Sequence, residues 1–241
     1  MYITSNHAMS ADGKIAASRY DLVSIGSPED QRRMAALRAE ADAVLVGGTT
    51  FRNWPFPLVE RRSMAALRPR PIVNAVLTRR GLLDEPARAR IQERFPDPRV
   101  RLILLGPPSL DVEGHRAAFG AEVLTSPNPD VRWAVQTLAA LGCERVVSEG
   151  GGDLLFQLLE ADLLDEVRLT VCPLIIGGKD APSPVDGRGF PSDQARRLAL
   201  LDVERLGDEL FLRYKINKLS SAPRAEDQGE GDEDTGAGLV A

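Results

Sequence analysis

Residues 146–156 contain the side chains and the backbone best suited to chemistry in this chain. A short β-branched run ends at Glu149, three glycines occupy positions 150–152, and an apolar helix pattern begins directly afterwards, at Asp153. Because glycine has no side chain, a ligand can approach the backbone N–H groups of such a turn, and the positive end of the helix favours a phosphate. The sequence therefore predicts an anion-binding turn with Glu149 at its edge. The alternative is a tight turn, capped by Asp153, that binds no ligand.

Other motifs of nucleotide, metal and acyl-transfer chemistry do not fit. A Rossmann fingerprint would need a third glycine where Leu155 stands, and residues 177–180 lack the upstream glycine spacing of a P-loop. The two histidines, His7 and His115, are too few and too badly spaced for a zinc site. Ser148 lacks the glycine that precedes a hydrolase nucleophile by two residues. We therefore expect no metal and no nucleophilic serine.

The composition is that of an ordinary globular protein. The chain has 241 residues, of which 43% are hydrophobic and 27% are charged, and this suits one domain with a sizeable core. No apolar run approaches the roughly 20 residues of a membrane-spanning helix, and the N-terminus lacks the pattern of a secretory signal. Cys143 and Cys172 lie in apolar segments, as reduced core thiols do. These features predict a cytoplasmic protein that does not bind membranes.

The negative charge of the chain is concentrated at its C-terminal end. Residues 219–241 contain six acidic residues and one basic residue, whereas residues 1–218 contain 29 of each. A neutral body offers no electrostatic surface for nucleic acid. The acidic, glycine-rich end has too few apolar side chains to fold. We expect one domain over residues 1–218 and a disordered tail over residues 219–241.

Hydrophobic periodicity places alternating strands and helices along the chain. Ser27 and Pro28 begin the first helix as N-cap and first residue, and Pro129 and Asp130 begin a later one. A Gly-Gly-Thr-Thr turn at residues 47–50 follows the second strand. We expect strands at residues 2–9, 43–46, 72–77, 101–105, 122–124, 145–148 and 166–172, further helices at 60–67, 131–141 and 153–161, and a final hairpin of 199–206 and 209–214. This order predicts an α/β fold with a mostly parallel central sheet, flanking helices and a C-terminal antiparallel hairpin.

Several segments together resemble one family. Residues 6–16, 37–47, 149–151, 165–166, 173–182 and 186–187 follow, in order and spacing, the motifs of the riboflavin biosynthesis reductases, the RibD C-terminal type with a dihydrofolate reductase-like fold. The resemblance covers about residues 1–216 and is strongest to stand-alone reductases of archaeal type. It implies an NADPH-dependent enzyme that reduces the ribosyl group of a (di)aminopyrimidine ribosylamine 5′-phosphate to ribityl by hydride transfer to C1′. It also implies a small sugar-phosphate substrate and a homodimer, paired here through an apolar edge strand within residues 166–176.

The resemblance assigns roles to individual residues. Glu149 matches the carboxylate that contacts the substrate and is the expected catalytic residue; Arg38 matches a substrate-contacting arginine, with an exposed ion pair as its alternative role. Further substrate contacts would come from Asn6, Asp12, Lys14, Leu58 and Arg61. The cofactor would be held by Ala8, Thr50, Thr78, Arg79, Arg80, Gly150, Gly151, Gly152, Asp153, Leu154 and Leu155.

Two of these groups have a purely structural alternative. Residues 78–80 resemble the turn that holds the cofactor's 2′-phosphate, for which the planar fork of arginine is suited, but they can equally form a basic surface turn. Asp12 and Lys14 can form a turn instead of contacting substrate.

One position departs from the family pattern. Between Thr50 and Leu58 the family has an acidic residue where this chain has Trp54. Either Asn53 replaces the hydrogen bonds of that acid, or the wall of the site is aromatic and accepts a different substrate. Two alternatives therefore stay open: a dihydrofolate reductase-like NADPH reductase of another heterocycle, and an NADP-binding regulatory protein without turnover.

The tail gives a first test. Truncation after Lys218 is expected to leave the melting temperature and the turnover close to those of the full chain, because residues 219–241 carry little that could pack. Thermal unfolding of the two proteins, measured side by side, checks this. A melting temperature lower by several degrees, on the order of 1 kcal/mol of stability or more, would show that the tail contributes to the fold.

Overall fold

A computed structural model describes residues 1–18, 25–59, 70–84 and 87–218. The strands are β1 (Tyr2–Ser10), β2 (Ala43–Gly47), β3 (Ile72–Leu77), β4 (Val100–Gly106), β5 (Glu122–Thr125), β6 (Arg145–Ser148), β7 (Glu166–Cys172), β8 (Leu198–Leu206) and β9 (Glu209–Ile216). The helices are α1 (Pro28–Glu40), α2 (Gly48–Asn53), α3 (Ala87–Gln92), α4 (Val112–Phe119), α5 (Val131–Ala140) and α6 (Gly152–Glu160). Within the described ranges no helix has the length and apolar composition needed to cross a membrane.

The described strands form one sheet in the order β5-β4-β3-β2-β6-β1-β7-β9-β8. All pairs from β5 to β7 are parallel, whereas β9 runs antiparallel to β7 and β8 antiparallel to β9. The predicted fold class, a mostly parallel sheet with a C-terminal antiparallel hairpin, is confirmed. Because the carboxyl ends of the parallel strands meet at one edge, they create the crevice in which α/β folds bind ligands.

Helices cover both faces of the parallel sheet. In β2, Ala43 and Leu45 pack into a core with α5 and α6, whereas Val44 and Val46 pack on the opposite face with α2, α3 and α4. Both sets of side chains are almost completely buried. This explains why β2 is apolar without alternation, as is usual for strands covered on two sides.

The structure differs from the predicted elements at three helices. Residues 48–53 form α2, so the predicted turn at residues 47–50 is wrong; Gly48 begins a helix of six residues that has no capping side chain. The six-residue α3 and the eight-residue α4 were not predicted, because segments this short give little periodicity. In α4 the termini were readable: Asp111 caps the first turn, and Gly120 ends it with a left-handed φ of 65°. The predicted helix at residues 60–67 lies outside the described residues.

The predicted edge strand is also wrong. β7 lies between β1 and β9, because the C-terminal hairpin pairs along it and moves the edge outward to β8. Every residue of β8 is exposed, including five large apolar ones: Leu198, Leu200, Leu201, Val203 and Leu206. Any pairing through a sheet edge on this side therefore involves β8.

A buried amide fixes the segment that follows α2. The side chain of Asn74, fully buried in β3, accepts a hydrogen bond from Leu58 N at 2.8 Å and donates one to Leu58 O at 3.0 Å. We call this pair of hydrogen bonds the clamp. It gives the Leu58 backbone the two hydrogen bonds that a neighbouring strand would otherwise provide, and it fixes the position of Leu58 beside the sheet.

Asn74→Ala is expected to destabilise the protein by about 2–4 kcal/mol, because the N–H and C=O of Leu58 would be left buried without partners. Urea unfolding measures the change. Asn128→Ala, at an exposed position before α5, serves as the control and should stay near wild type. Equal stability of both variants would contradict the role given to the clamp.

Candidate active site

A cavity of about 710 Å³ lies at the carboxyl edge of the sheet. Its wall is formed by β1, by the ends of β2 and β3, by one face of α1, by α2 and by the turn between β6 and α6. The volume lies within the range of pockets that bind small molecules and cofactors. The elements that line it are the ones that carry most of the predicted site residues.

The glycine turn is the most constrained part of this cavity. A Cβ at Gly152 would lie 2.5 Å from the backbone oxygen of Ser183, and one at Gly150 would lie 2.4 Å from the side chain of Leu154. At Gly151 the nearest atom to an added Cβ would be Thr50 Oγ1, at 3.6 Å. Two glycines are thus required for packing within the protein, whereas the third leaves open space that a ligand can enter.

The start of α6 has no side-chain cap. Gly151 is the N-cap, so the alternative of a turn capped by Asp153 is wrong, and the first turn of the helix lines the cavity. Thr50, from α2, accepts a hydrogen bond from Gly151 N at 3.1 Å. This bond connects the first turn of α2 to the glycine turn. This arrangement presents backbone donors and the positive end of a helix to the cavity, which suits an anion.

His7 fixes the turn from the side of β1. Its Nε2 donates to the carbonyl oxygen of Gly150 at 2.7 Å, and Nδ1 is buried without a hydrogen-bond partner in the described part of the chain. Burial lowers the pKa of His7, so the imidazole is neutral at physiological pH. A neutral ring with the proton on Nε2 provides the hydrogen bond that the buried glycine carbonyl needs.

Glu149 and Arg38 form a two-pronged ion pair at the centre of the wall. Arg38 Nε donates to Glu149 Oε1 at 2.8 Å, and Arg38 Nη2 donates to Oε2 at 2.5 Å. The two side chains are only 12% and 8% exposed. The carboxylate raises the pKa of Arg38 against the opposing effect of burial. Both predicted residues therefore line the cavity, and they do so as one unit that joins α1 to the end of β6.

The turn after β3 forms a small, positively charged side pocket of about 230 Å³. Thr78 shapes this turn by accepting a hydrogen bond from Gly81 N, and Arg79 and Arg80 line the pocket. Arg52, which the sequence did not single out, lines it too and donates to Gly81 O at 2.9 Å. Burial and the neighbouring Arg80 lower the pKa of Arg52. Three guanidinium groups so placed can hold a phosphate.

The remaining predicted residues divide between the cavity and the body. Asn6, Ala8, Leu58, Asp153 and Leu154 line the cavity, whereas Leu155 packs in the core with its side chain fully buried. Arg61 lies outside the described residues.

Asp12 and Lys14 do not line the cavity. The Asp12 carboxylate accepts hydrogen bonds from Ser10 Oγ, Ile176 N and Gly177 N, and these bonds lower its pKa to about 2. Lys14 Nζ donates to Ala181 O at 3.0 Å. The geometry favours the turn role that the sequence left open for both, because they join the loop after β1 to the loop after β7.

Sequence reasoning singled out Arg38 of α1 but missed two other residues of the same helix. Asp30 and Met34 line the cavity together with Arg38, at intervals of four residues that place all three on one helix face. This spacing was available in the sequence. Trp54 also lines the cavity, with its ring centroid 5.0 Å from that of Phe56, so the wall is aromatic where the family has an acid. Among the described residues there is no cluster that could hold a metal ion.

Known proteins share this sequence and this architecture. Residues 1–212 match the model of the family described as the RibD C-terminal domain. The chain is 33% identical to a 2,5-diamino-6-ribosylamino-4(3H)-pyrimidinone 5′-phosphate reductase of Methanothermobacter thermautotrophicus, over 89% of this chain and 98% of that protein. A reductase of the same name from Archaeoglobus fulgidus is 30% identical, over 90% of this chain and 99% of the relative. Acinetobacter baumannii RibD shares the fold with a TM-score of 0.70 at 24% identity; the match covers 90% of this chain and 58% of that one.

The ion pair at the centre of the wall gives a stability test. Arg38→Leu is expected to cost about 3–5 kcal/mol, because it leaves the Glu149 carboxylate buried and unpaired. The double variant Arg38→Leu/Glu149→Leu should lose less than the single variant, since it removes both charges. Urea unfolding measures both.

The control is Arg116→Leu, which breaks an exposed pair with Glu113 and should cost about 1 kcal/mol at most. A double variant at least as unstable as Arg38→Leu would show that the pair is not acting as a buried, mutually compensated unit.

Proposed function

The chain belongs to the RibD C-terminal domain family, and from this membership we propose that it is an NADPH-dependent reductase of riboflavin biosynthesis. The proposed reaction reduces the ribosyl group of a (di)aminopyrimidine ribosylamine 5′-phosphate to ribityl. The observation that carries the proposal is the Glu149–Arg38 pair, which lies beside an uncapped glycine turn in one cavity. The end-to-end likeness to two reductases named for this substrate supports it.

The residues of the cavity fit a dinucleotide. The open face at Gly151, the hydrogen bond from Gly151 N to Thr50, and the first turn of α6 form a cradle for a pyrophosphate. The arginine side pocket is suited to an additional phosphate, which distinguishes NADPH from NADH. When bound, NADPH supplies the hydride that the reaction adds to C1′. The protein need not supply a nucleophile, since positioning and the exclusion of water can provide most of the rate.

Glu149 is the proposed catalytic carboxylate. Opening of the ribosyl ring leaves a cationic imine at C1′ of the substrate, and a nearby carboxylate favours that charge. Arg38 occupies one direction at each carboxylate oxygen, but an ionised carboxylate has about four acceptor sites, so sugar hydroxyls or pyrimidine amino groups can bind the others. In this role Arg38 orients the carboxylate.

The test is NADPH oxidation by the purified protein with three substrates: the ribosylaminopyrimidine phosphate before deamination, the same compound after deamination, and dihydrofolate. We expect turnover with one or both pyrimidines. Glu149→Gln should lower kcat by about 10²-fold or more while NADPH affinity stays nearly unchanged. The exposed Glu144→Gln, five residues upstream, should behave as wild type.

Trp54 on the cavity wall, whose ring contacts that of Phe56, supports a second candidate, reduction of another heterocycle such as a dihydropteridine. Turnover of dihydrofolate alone would favour this candidate. Tight NADPH binding without turnover of any of the three compounds would favour a non-catalytic, NADP-binding regulatory role. Glu149→Gln that turns over normally but loses NADPH would overturn the role given to Glu149.

Cofactor preference follows from the arginine side pocket. Replacing both Arg79 and Arg80 by alanine is expected to raise the Michaelis constant for NADPH and to change that for NADH little, because only NADPH carries the 2′-phosphate. Steady-state kinetics with both cofactors measures this. Equal use of NADPH and NADH by the unmodified protein would contradict the proposal.

We also propose a homodimer that pairs through β8. This strand is the exposed edge of the sheet, and its side chains Leu200 and Val203 are 56% and 53% exposed. An exposed apolar edge strand is usually covered in a native protein.

Light scattering is expected to give twice the monomer mass at micromolar concentration. Leu200→Lys should shift the protein toward the monomer, whereas Ile175→Lys, at a residue that is 72% exposed in the loop after β7, should not. A monomer mass for the unmodified protein would overturn the proposed dimer.

A further inference from the structure

Asp30 is a buried carboxyl group on the wall of the cavity that the proposed function has not used. It lies in the first turn of α1, it is 7% exposed, and it lines the cavity on the same helix face as Arg38. Gly26 makes room for it, because a Cβ at that position would lie 2.1 Å from Asp30 Oδ2. A side chain at position 26 would therefore clash with the Asp30 carboxyl in its present position.

The partner of Asp30 connects it to β1, the strand that carries Ala8. Its carboxyl hydrogen-bonds with the side chain of Thr170, a buried residue of β7. Thr170 is the register partner of Ala8 in the parallel pair of β1 and β7. Ala8 lines the cavity and is one of the residues expected to hold the cofactor, so Asp30 lies near the proposed cofactor site.

The surroundings of Asp30 favour its protonated form. Burial is the largest cause that raises the pKa of Asp30, and the facing carboxylates Glu209, from β9, and Glu149 raise it further. The hydrogen bond with Thr170 and the nearby Arg33 act in the opposite direction. Cys172 of β7 also faces Asp30, with a thiol pKa raised to about 12, and so stays neutral.

The other carboxyl groups on the described wall are committed elsewhere. Glu149 is held by Arg38, and Asp186 accepts hydrogen bonds from Ser183 N and Oγ. Asp153 belongs to the first turn of α6, where the cofactor phosphates are proposed to bind. His7 is neutral, and its one N–H donates a hydrogen bond to the Gly150 carbonyl.

Resting on the proposed function, we propose that Asp30 is the general acid of the reaction. The C1′–O4′ bond breaks, its electron pair goes to O4′, and the Asp30 carboxyl transfers its proton to O4′, which becomes the 4′-hydroxyl. The nitrogen lone pair forms the C1′=N bond, and bound NADPH would supply the hydride that this bond accepts at C1′. One NADPH and one proton are consumed, and the Asp30 carboxylate is reprotonated from water. A positioned acid of this kind is worth about 10²–10⁴-fold in rate.

The experiment compares the pH profiles of three variants with that of the wild type. A general acid must be protonated, so kcat of the wild type should fall as pH rises through the pKa of Asp30. Asp30→Asn keeps the size of the side chain but has no proton to transfer; its kcat should fall by about 10²-fold or more and lose this alkaline limb. Thr170→Val removes a hydrogen bond that favours the carboxylate, so the limb should move to higher pH.

Glu29→Gln is the matched control, because it removes an acid from the same helical turn, at a residue that does not line the cavity. It should keep the wild-type profile. NADPH affinity and melting temperature, measured for all variants, separate loss of the acid from loss of the fold.

The titration of Asp30 itself is followed by NMR with carbon-13 labelled aspartate, using Asp30→Asn to assign the signal. Its midpoint should lie above that of an ordinary aspartate and coincide with the alkaline limb. An Asp30 that titrates as an exposed aspartate, or an Asp30→Asn variant that keeps both rate and limb, would overturn the proposal. If the wild type reduces neither pyrimidine, the proposed function is wrong, and the acid role of Asp30 in that reaction is overturned with it. NADPH binding and the titration of Asp30 can still be measured in that case, so this outcome is distinguishable from failure of the acid role alone.

Discussion

The ion pair between Arg38 and Glu149 is the contact on which the geometry of the cavity depends. It joins α1 to the residue after β6 across 111 positions of sequence, and both charges are almost removed from water. The apolar packing beneath it is small, consisting of Leu37, Ala41 and Val147. A buried pair of this kind adds little net stability but fixes geometry, because neither partner tolerates loss of the other. The spacing between the α1 wall and the glycine turn is therefore set electrostatically.

A second set of contacts fixes the glycine turn from its other sides. His7 reaches the carbonyl of Gly150 from β1, Thr50 reaches Gly151 N from α2, and Gly152 lies against the backbone of residues 183–186. Each contact comes from a different element, so the turn is held from three directions before any ligand arrives. Preorganisation of this kind lowers the cost of ordering the site on binding.

Much of the fold could be predicted from the sequence because its signals are local. Ser27 and Pro28 begin α1, Asp130 caps α5, and the Gly207 turn closes the hairpin, each through residues within one turn of the chain. The short helix α2 lacks such a signal, because no side chain caps its start. The edge of the sheet was misplaced because strand order depends on where the hairpin returns, and that is a property of the whole fold.

The same distinction holds for the candidate site. Glu149 and Arg38 could each be singled out from motifs, but their pairing is a long-range contact that no local pattern contains. Asp30 escaped notice because an acid in the first turn of a helix has an ordinary explanation, stabilisation by the helix dipole. Its place on the cavity wall and its contact with Thr170, 140 residues away, are apparent only in the folded structure.

The two halves of the cavity are formed by different elements of the fold. The glycine turn and the first turn of α6 form one side, whereas the other side includes Asp30, Met34 and Arg38 from α1 and Trp54, which follows α2. Exchange of an α1 side chain other than Arg38, which is paired with Glu149, changes the shape and charge of one half without replacing a residue of the other. A scaffold divided in this way is evolvable: selection can change the α1 half to suit a new ligand while the half at the glycine turn is inherited intact.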